Sequence, residues 1–235
     1  MSIVSILDIV FPKRCVGCGR IGTYICSVCS MRITCIDPAR EAICPVCEKS
    51  SINGMIHPRC TSGWGIDGLT SFFRYDGVVK KAVKAVKYRL VSDLCEKFVG
   101  LVPSTSYIFL QKVISEKKPV IIPIPLHSSR FRERGFNQAE ILGSLVAVHL
   151  NVPVRWDVLR RTRHTTPQVE MKEREKRLKN MQGVFAVNNI TMKQWNNEAI
   201  LLFDDVFTTG ATMRAAAMVL KRAGAKWVWG VTMAR

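Results

Sequence analysis

Residues 199–212, AILLFDDVFTTGAT, are the stretch of sequence that decides the fold. The apolar run at 199–203 predicts a buried strand, and residues 211–223 predict a helix that stops at Gly224. A second apolar run, at 227–233, predicts another strand. This order of strand, loop, helix and strand indicates a parallel sheet and an α/β fold.

The loop after the first of these strands has the groups that a phosphate needs. Backbone amides, hydroxyl donors and the positive end of a helix come together at Thr208, Thr209, Gly210, Ala211 and Thr212. Asp204 and Asp205 precede the loop at the carboxyl end of the strand, where sheets of this kind bind ligands. They would repel a phosphate, but they accept hydrogen bonds from a sugar diol and can hold Mg²⁺, directly or through water. The alternative is an ordinary strand-turn-helix capped by threonines.

The middle of the chain predicts further elements of the same fold. Residues 69–75 and 119–125 predict strands, and residues 78–89 predict a basic helix whose lysines mainly face solvent. Asn137 predicts the cap of the next helix. The charged stretch 160–180 predicts a mobile loop leading into a short helix, an arrangement that often forms a lid.

Nine cysteines are distributed unevenly over the 235 residues. Eight of them precede residue 61, and only Cys95 follows. The two parts therefore predict two domains, a cysteine-rich one at 1–65 and an α/β one at 66–235. Paired cysteines in a chain without a secretion signal indicate metal binding rather than disulfides.

Four pairs of metal ligands, each with two residues between its members, lie in the first domain. Such spacing lets a tight turn aim both ligands at one tetrahedral ion, and we expect Gly17 to provide the left-handed backbone of the first turn. Eight ligands predict two zinc ions at sites without an open catalytic position. Sequential pairing assigns Cys15, Cys18, Cys26 and Cys29 to one site, and Cys44, Cys47, His57 and Cys60 to the other. A crossed pairing, first with third pair and second with fourth, stays open, and Cys35 is left over.

The chain has 35 Lys and Arg residues against 18 Asp and Glu, a net charge of +17, which favours polyanionic partners such as phosphorylated metabolites and nucleic acid. No stretch approaches the ~20 apolar residues of a membrane span. Residues 1–11 are apolar, but no basic residue precedes the run and Pro12 interrupts it, so a secretion signal is not expected. They predict a short helix on the zinc module, with a membrane-surface helix as the alternative. We expect a cytoplasmic protein.

Residues 201–213 resemble the thirteen-residue signature by which type I phosphoribosyltransferases bind phosphoribosyl diphosphate (PRPP): an apolar run, two acids and Thr-Thr-Gly-x-Thr. The resemblance implies a parallel sheet with helices on both faces. It also implies that Asp204 and Asp205 bind the ribose hydroxyls, that residues 208–212 bind the 5′-phosphate, and that Mg²⁺ accompanies PRPP. These two acids are the candidate catalytic residues.

A wider resemblance, over essentially the full length, is to the ComF family of competence proteins. It rests on the four ligand pairs, on Leu126-His-Ser-Ser-Arg-x-Arg-x-Arg-Gly-Phe-Asn-Gln138, on Thr162-x-x-Thr-Thr-Pro-Gln168 and on Arg177-x-x-Asn180. The resemblance implies a double zinc ribbon before a phosphoribosyltransferase-type domain, and a role in handling incoming single-stranded DNA during natural transformation. One departure is His57-x-x-Cys60, where many relatives have Cys-x-x-Cys, which puts the metal affinity of the second site in question.

Basic and amide side chains follow the strand predicted at 119–125: Arg130, Arg132, Arg134, Asn137 and Gln138. Their position resembles the place where related enzymes hold the diphosphate, and guanidinium groups suit phosphate oxygens. The alternatives are a solvated basic turn, and a track for single-stranded DNA on which Phe131 or Phe136 stacks a base. His127 is a candidate acid or base, whereas His164 is expected to be merely exposed.

A second basic cluster lies in the predicted lid, where it is expected to close over a nucleotide or to guide a strand. It consists of Arg160, Arg161, Arg163, Lys172, Arg174, Lys176, Arg177 and Lys179.

Two functions compete on this sequence. One is an enzyme that displaces diphosphate from C1 of PRPP, with Mg²⁺, a closing lid and an acceptor that the sequence does not identify. The other is a binding and adaptor protein that holds PRPP or single-stranded DNA while it docks a competence helicase or a DNA-loading protein. We expect PRPP binding and a competence role, with catalysis open. A zinc-ribbon transcription regulator is a weaker third reading, because no helix resembles one that reads a DNA groove.

Overall fold

A computed structural model describes residues 12–61, 65–88, 92–163, 183–188 and 199–235. The helix expected near the amino terminus falls within 1–11, outside the described residues. Most of the expected lid also lies outside the described residues, including His164 and the basic residues from Lys172 to Lys179.

The described part of the chain forms six strands and seven α-helices. The strands are β1 (Gly68–Phe73), β2 (Val120–Pro123), β3 (Leu159–Arg161), β4 (Phe185–Val187), β5 (Ala199–Val206) and β6 (Trp227–Ala234). The helices are α1 (Ser27–Ser30), α2 (Gly77–Tyr88), α3 (Ser92–Val99), α4 (Ser104–Ile114), α5 (Ser128–Arg134), α6 (Gln138–Leu150) and α7 (Ala211–Arg222). Two 3₁₀ turns, Ile52–Gly54 and Pro58–Cys60, lie in the cysteine-rich part.

Four strands form a parallel sheet in the order β1-β6-β5-β2. The predicted order of strand, loop, helix and strand is therefore confirmed, with β5 beside β6 and α7 between them in sequence. Strand β5 is longer than expected, since its pairing with β6 continues from Asp204, opposite Thr232, to Val206, opposite Ala234. Asp204 and Asp205 thus belong to the carboxyl end of strand β5 rather than to the loop that follows it.

Helices cover both faces of the sheet, as expected. Alternate residues of β5 enter different cores: Leu201 and Phe203 pack with helices α2, α3, α4 and α6, whereas Ile200 and Leu202 pack with α7 and the β3–β4 hairpin. Because strand side chains alternate between faces, a strand covered on both sides must be apolar throughout, as residues 199–203 are.

The cysteine-rich part packs directly against the sheet. Residues 34–36 run along β1, with hydrogen bonds from Ile36 N–H to the Phe72 carbonyl at 2.8 Å and from Arg74 N–H to the Thr34 carbonyl at 2.9 Å. Cys15, Cys26 and Cys29 are buried in the same apolar core as Phe72 and Val78. The expected domain division at 65/66 falls just before β1. The residues on its two sides share an apolar core. None of the helices in the described ranges is long and apolar enough to cross a membrane.

Candidate functional site

The loop between β5 and α7 forms a small pocket at the carboxyl edge of the sheet. Gly210 caps α7 in a left-handed conformation, with φ of 69°. A Cβ at this position would lie 2.5 Å from the ring of Phe207, so both backbone and space require glycine. The pocket is lined by Asp204, Val206, Phe207, Thr208, Gly210, Ala211, Thr212 and Met213.

One buried polar atom in this loop has no hydrogen-bond partner within the described residues, the Oγ1 atom of Thr209. A buried hydroxyl without a partner is costly, and such atoms are often completed by a ligand. With the amino-terminal end of α7 beside it, the loop fits a phosphate group.

The two adjacent acids face different sides of the sheet. Asp204 is half-buried and lines the loop pocket, whereas Asp205 is 5% exposed and lies outside it. The Oδ2 atom of Asp205 accepts hydrogen bonds from Lys87 Nζ at 2.9 Å and from Gln138 Nε2 at 3.4 Å. The alternation of strand side chains separates the pair, and Asp204 is the acid that can meet a ligand held in the loop.

Lys87, from the last turn of α2, was expected only to face solvent, but its side chain is 27% exposed and pairs with Asp205. Burial lowers the pKa of the Lys87 ammonium, and the charge and hydrogen bond of Asp205 outweigh this, so the net shift is upward. Spacing within α2 gave no signal for this role, because the partner lies far along the chain. Lys87 is a member of the site that sequence reasoning missed.

The Asp204 carboxyl has a pKa well above its usual range. Burial is the main cause and the negative charge of Asp205 adds to it, while the Asp205 backbone N–H, at 2.9 Å from Asp204 Oδ1, and the Lys87 charge oppose it. A partly desolvated carboxylate beside a second acid gains from a cation or from hydroxyl donors. Its oxygens suit Mg²⁺ held through water, and the residues present therefore fit the expected Mg-PRPP complex.

In the basic segment after β2, some side chains are exposed to solvent and others make hydrogen bonds within the protein. Arg132 is exposed and Arg130 half-buried on α5, and Phe131 between them is 46% exposed. Phe136 is buried, so of the two aromatic candidates only Phe131 can stack on a base. His127 caps α5, with its Nδ1 atom accepting from Ser129 N–H at 3.3 Å.

Arg134 and Gln138 extend the network around Asp205. Arg134 Nη1 donates to Gln138 Oε1 at 3.1 Å, and its guanidinium lies 5.5 Å from the centre of the Tyr88 ring. A chain of contacts therefore runs from Tyr88 through Arg134 and Gln138 to Asp205. Gln138 therefore supports the Asp205 carboxylate directly, and Arg134 supports it through Gln138.

The side chain of Asn137 makes hydrogen bonds within the protein and is not available to a ligand. Its Oδ1 accepts from Ala139 N–H at 3.1 Å, which confirms the predicted cap of α6. Its amide donates to the Ile124 carbonyl and to Glu140 Oε1, each at 3.0 Å. Since both amide hydrogens are engaged, Asn137 holds the loop after β2 against α6 and has no donor left for a phosphate.

Arg161, expected in the lid, lies at the end of β3 with its guanidinium 5.6 Å from the Phe185 ring. Burial and the nearby charge of Arg130 lower its pKa, and the carboxylate of Asp204 opposes them. Arg161, Arg130 and Asp204 therefore lie close enough to interact. The other described members of the second basic cluster, Arg160 and Arg163, are exposed.

The eight predicted metal ligands form two clusters in the sequential pairing. The ligand atoms of Cys15, Cys18, Cys26 and Cys29 all lie within 4.8 Å of one another, and so do those of Cys44, Cys47, His57 and Cys60. This geometry fits a tetrahedral zinc ion at each cluster, and it opposes the crossed arrangement. The leftover Cys35 is exposed and belongs to neither cluster.

His57 is oriented as a ligand. Its ring contacts the Ser50 carbonyl through Nε2 at 3.0 Å, while Nδ1 lies 3.3 Å from Cys47 Sγ. A hydrogen bond from Nε2–H to a carbonyl leaves Nδ1 free to bind a metal, which is the usual support for a histidine ligand. The departure at His57 is therefore compatible with a complete second site.

Each cluster has the same hydrogen bond, from the backbone of its third ligand to the sulfur of its first. Cys15 Sγ accepts from Cys26 N–H at 3.4 Å, and Cys44 Sγ accepts from His57 N–H at 3.4 Å. Burial raises the pKa of Cys15, but these and neighbouring N–H groups outweigh it and lower the pKa to about 6. A thiol that ionises readily suits metal binding.

The prediction that Gly17 provides the left-handed backbone of the first turn was wrong. The left-handed residue of the first turn is Gly19, with φ of 79°, and its counterpart in the second turn is Glu48, with φ of 61°. Gly17 is required for space, because a Cβ there would lie 2.5 Å from Cys29 Sγ. The turn becomes left-handed after the second cysteine, where no side chain has to reach the metal.

Comparisons with known proteins agree with this architecture. The double zinc ribbon domain family matches residues 6–61. Competence protein F of Haemophilus influenzae is 30% identical over 116 residues, which are 48% of this chain and 50% of that protein.

Two further relatives match most of the chain. Competence protein ComFC of Bacillus subtilis is 28% identical over 216 residues, 90% of this chain and 79% of that protein. DNA utilization protein YhgH of Salmonella typhimurium is 25% identical over 217 residues, 87% of each. Both the cysteine-rich part and the α/β part therefore fall within these similarities.

Proposed function

Because this chain belongs to the ComF family, we propose that it binds Mg-PRPP in the pocket of Asp204 and the 208–212 loop and acts in handling single-stranded DNA during natural transformation. The observation that carries the PRPP proposal is the loop pocket itself. It combines a desolvated carboxylate with a helix terminus and the buried, unpartnered Oγ1 of Thr209.

In this proposal the 5′-phosphate lies against the loop amides and hydroxyls, and Asp204 accepts hydrogen bonds from the ribose hydroxyls. Asp205, which the sequence also assigned to the ribose, stays paired with Lys87 and holds the end of β5 in place. The diphosphate extends towards Arg130 and Arg161, which lie close enough to each other and to Asp204 for their charges to interact. Mg²⁺ would neutralise part of the charge of the diphosphate.

Handling of single-stranded DNA is supported by charge and by one aromatic side chain. The net charge is +17, and α5 places Arg130, Phe131 and Arg132 in succession at the surface. Guanidinium groups that follow phosphates beside a ring that stacks on bases are the usual parts of such a track. Several relatives are named as competence or DNA utilization proteins.

The alternative is an active phosphoribosyltransferase. In that reaction an acceptor nucleophile forms a bond to C1 of PRPP, the bond from C1 to the diphosphate oxygen breaks, and diphosphate leaves with the electron pair. The intact loop and Asp204 favour this alternative, because they are the parts that would hold the ribosyl group in place during displacement.

Isothermal titration of Mg-PRPP into the zinc-loaded full chain tests the first part of the proposal. We expect binding by the wild type and its loss in Asp204→Asn. The control is Asp157→Asn, an exposed acid paired with Arg155 at the surface, which should bind as the wild type does. Equal binding by Asp204→Asn and the wild type would remove Asp204 from the site, and no binding by the wild type would refute the PRPP proposal. If the wild type binds Mg-PRPP, release of diphosphate in the presence of candidate acceptors would show that the protein is an active phosphoribosyltransferase.

Binding of a labelled oligothymidylate, followed by anisotropy over a range of salt concentrations, tests the second part. The double variant Arg130→Ala, Arg132→Ala should bind more weakly, and its log K against log salt slope should fall by about 1.4 for two lost phosphate contacts. The control is Arg222→Ala, an exposed arginine at the far end of α7. An unchanged slope in the double variant would contradict the proposed track.

A further inference from the structure

Arg214 is a buried arginine in the first turn of α7, four residues after the glycine of the phosphate loop. It is 1% exposed. Its backbone N–H donates to the Gly210 carbonyl at 2.9 Å and so closes the first turn of the helix. The backbone of Arg214 is therefore bonded directly to a residue of the 208–212 loop.

The Arg214 side chain reaches the second cysteine cluster. Its Nε donates to the Pro45 carbonyl at 3.0 Å, and its Nη2 donates to the Val46 carbonyl at 2.9 Å and also to that of Pro45. Pro45 and Val46 are the two residues between the ligands Cys44 and Cys47. The guanidinium thus joins the turn that holds a metal to the helix that follows the phosphate loop.

The same side chain lies close to the loop glycine. A Cβ on Gly210 would lie 3.2 Å from Arg214 Nε, so the loop glycine rests against the guanidinium. The Phe207 ring is also close, 2.5 Å from the same Cβ position. The conformation of the loop therefore depends on where the guanidinium is held.

Electrostatics favour this connection when the metal is bound. A zinc ion with three thiolates and one neutral histidine has a net charge of about −1, which complements a buried cation. The two carbonyls that Arg214 binds belong to the turn between the ligands Cys44 and Cys47, so an ion held by these ligands would restrict their positions. Buried charged groups need such fixed partners, since losing them leaves an uncompensated charge.

We infer that Arg214 is a positioning residue that couples metal binding at the second cysteine cluster to the geometry of the phosphate loop. With the metal bound, the turn fixes the guanidinium, and the guanidinium fixes Gly210 and the amides around it. Thermodynamic linkage makes the coupling reciprocal, so an anion bound in the loop strengthens retention of the metal by the same factor. The part that concerns PRPP rests on the proposed function, whereas the coupling between turn and loop does not.

Hydrogen exchange of the zinc-loaded full chain tests the coupling without any ligand. In Arg214→Met, peptides that span residues 206–213 and residues 42–48 should both exchange faster, by about fivefold or more if the coupling lies in the usual range. Arg214→Lys should give a smaller effect of the same sign, because lysine keeps the charge but lacks the planar fork. Arg222→Met, on the exposed end of the same helix, is the matched control and should leave both peptides unchanged.

Two further measurements use Mg-PRPP and zinc. Mg-PRPP should slow the loss of zinc to a chelator in the wild type and in Arg222→Met, but not in Arg214→Met, and affinity for Mg-PRPP should fall in parallel with faster exchange of the loop. If the wild type does not bind Mg-PRPP, the proposed function fails, while the exchange of the loop still decides the coupling. Loop exchange at the wild-type rate in both Arg214→Lys and Arg214→Met would overturn the inference. If Arg214→Met does not fold, Arg214→Lys alone decides.

Discussion

Replacement of Lys87 by methionine should destabilise the fold by about 3 kcal/mol. The side chains have similar length, so the change mainly removes the ammonium that lies 2.9 Å from Asp205. Loss of one partner from a buried ion pair costs about 3 to 5 kcal/mol. We take the lower end because Lys87 keeps 27% exposure and water reaches part of it, whereas the Asp205 side chain that would lose its partner is only 7% exposed.

Thermal unfolding of the zinc-loaded protein near neutral pH measures this effect. For a chain of this size the loss corresponds to a fall in Tm of about 6 to 12 °C. Lys84→Met is the matched control, since it makes the same change on an exposed position of α2 and should leave Tm within about 2 °C. Equal melting temperatures for Lys87→Met and Lys84→Met would refute the reasoning that the pair with Asp205 is desolvated and stabilising.

Four other predictions concern Asp204, the loop glycine, the helix cap and the metal sites. Because burial, and then Asp205, raise the pKa of Asp204, the contribution of this carboxyl to stability should fall as pH rises from about 4 through that raised pKa. Asp204→Asn should flatten this dependence and melt higher at neutral pH, in melts at a series of pH values. Gly210→Ala should lower Tm more than Gly224→Ala, since both have positive φ but only the first meets a ring, at 2.5 Å. Asn137→Ala should cost about 1 to 2 kcal/mol in denaturant unfolding. Cys35→Ser should keep the wild-type zinc content by elemental analysis.

Local sequence signals predicted the centre of the fold well. The apolar run of β5, Gly224 after α7 and the apolar run of β6 all lie within residues 199–234, so their pattern is read directly from the chain. The cap at Asn137 was likewise predictable, because it depends on spacing within one turn. The ligands themselves were predicted from the spacing within each pair, but the sequence left open which pairs share an ion, and the fold brings them together in the sequential pairing.

Long-range partners were not predictable from the same signals. Lys87 reads as one of several lysines on a basic helix, and its distinction comes only from Asp205, which the fold brings to it. Arg214 reads as an ordinary helix residue, although its partners, Pro45 and Val46, lie 169 and 168 residues away. The carboxyl end of β5 was also set by tertiary structure, since pairing with β6 extends the strand beyond residue 203 through Asp204 to Val206.

The positions of the two cysteine clusters explain why the cysteine-rich part and the α/β part share one core. The first cluster rests on α2, where Lys81 Nζ donates to the Gly17 carbonyl at 2.8 Å, and α2 also holds the lysine that pairs with Asp205. The second cluster rests on α7 through Arg214, beside the loop that Asp204 faces. Each metal turn therefore supports the helix that sets one half of the site. A small module placed this way can stabilise a ligand pocket without contributing any atom to it, because it fixes the elements on which the pocket depends.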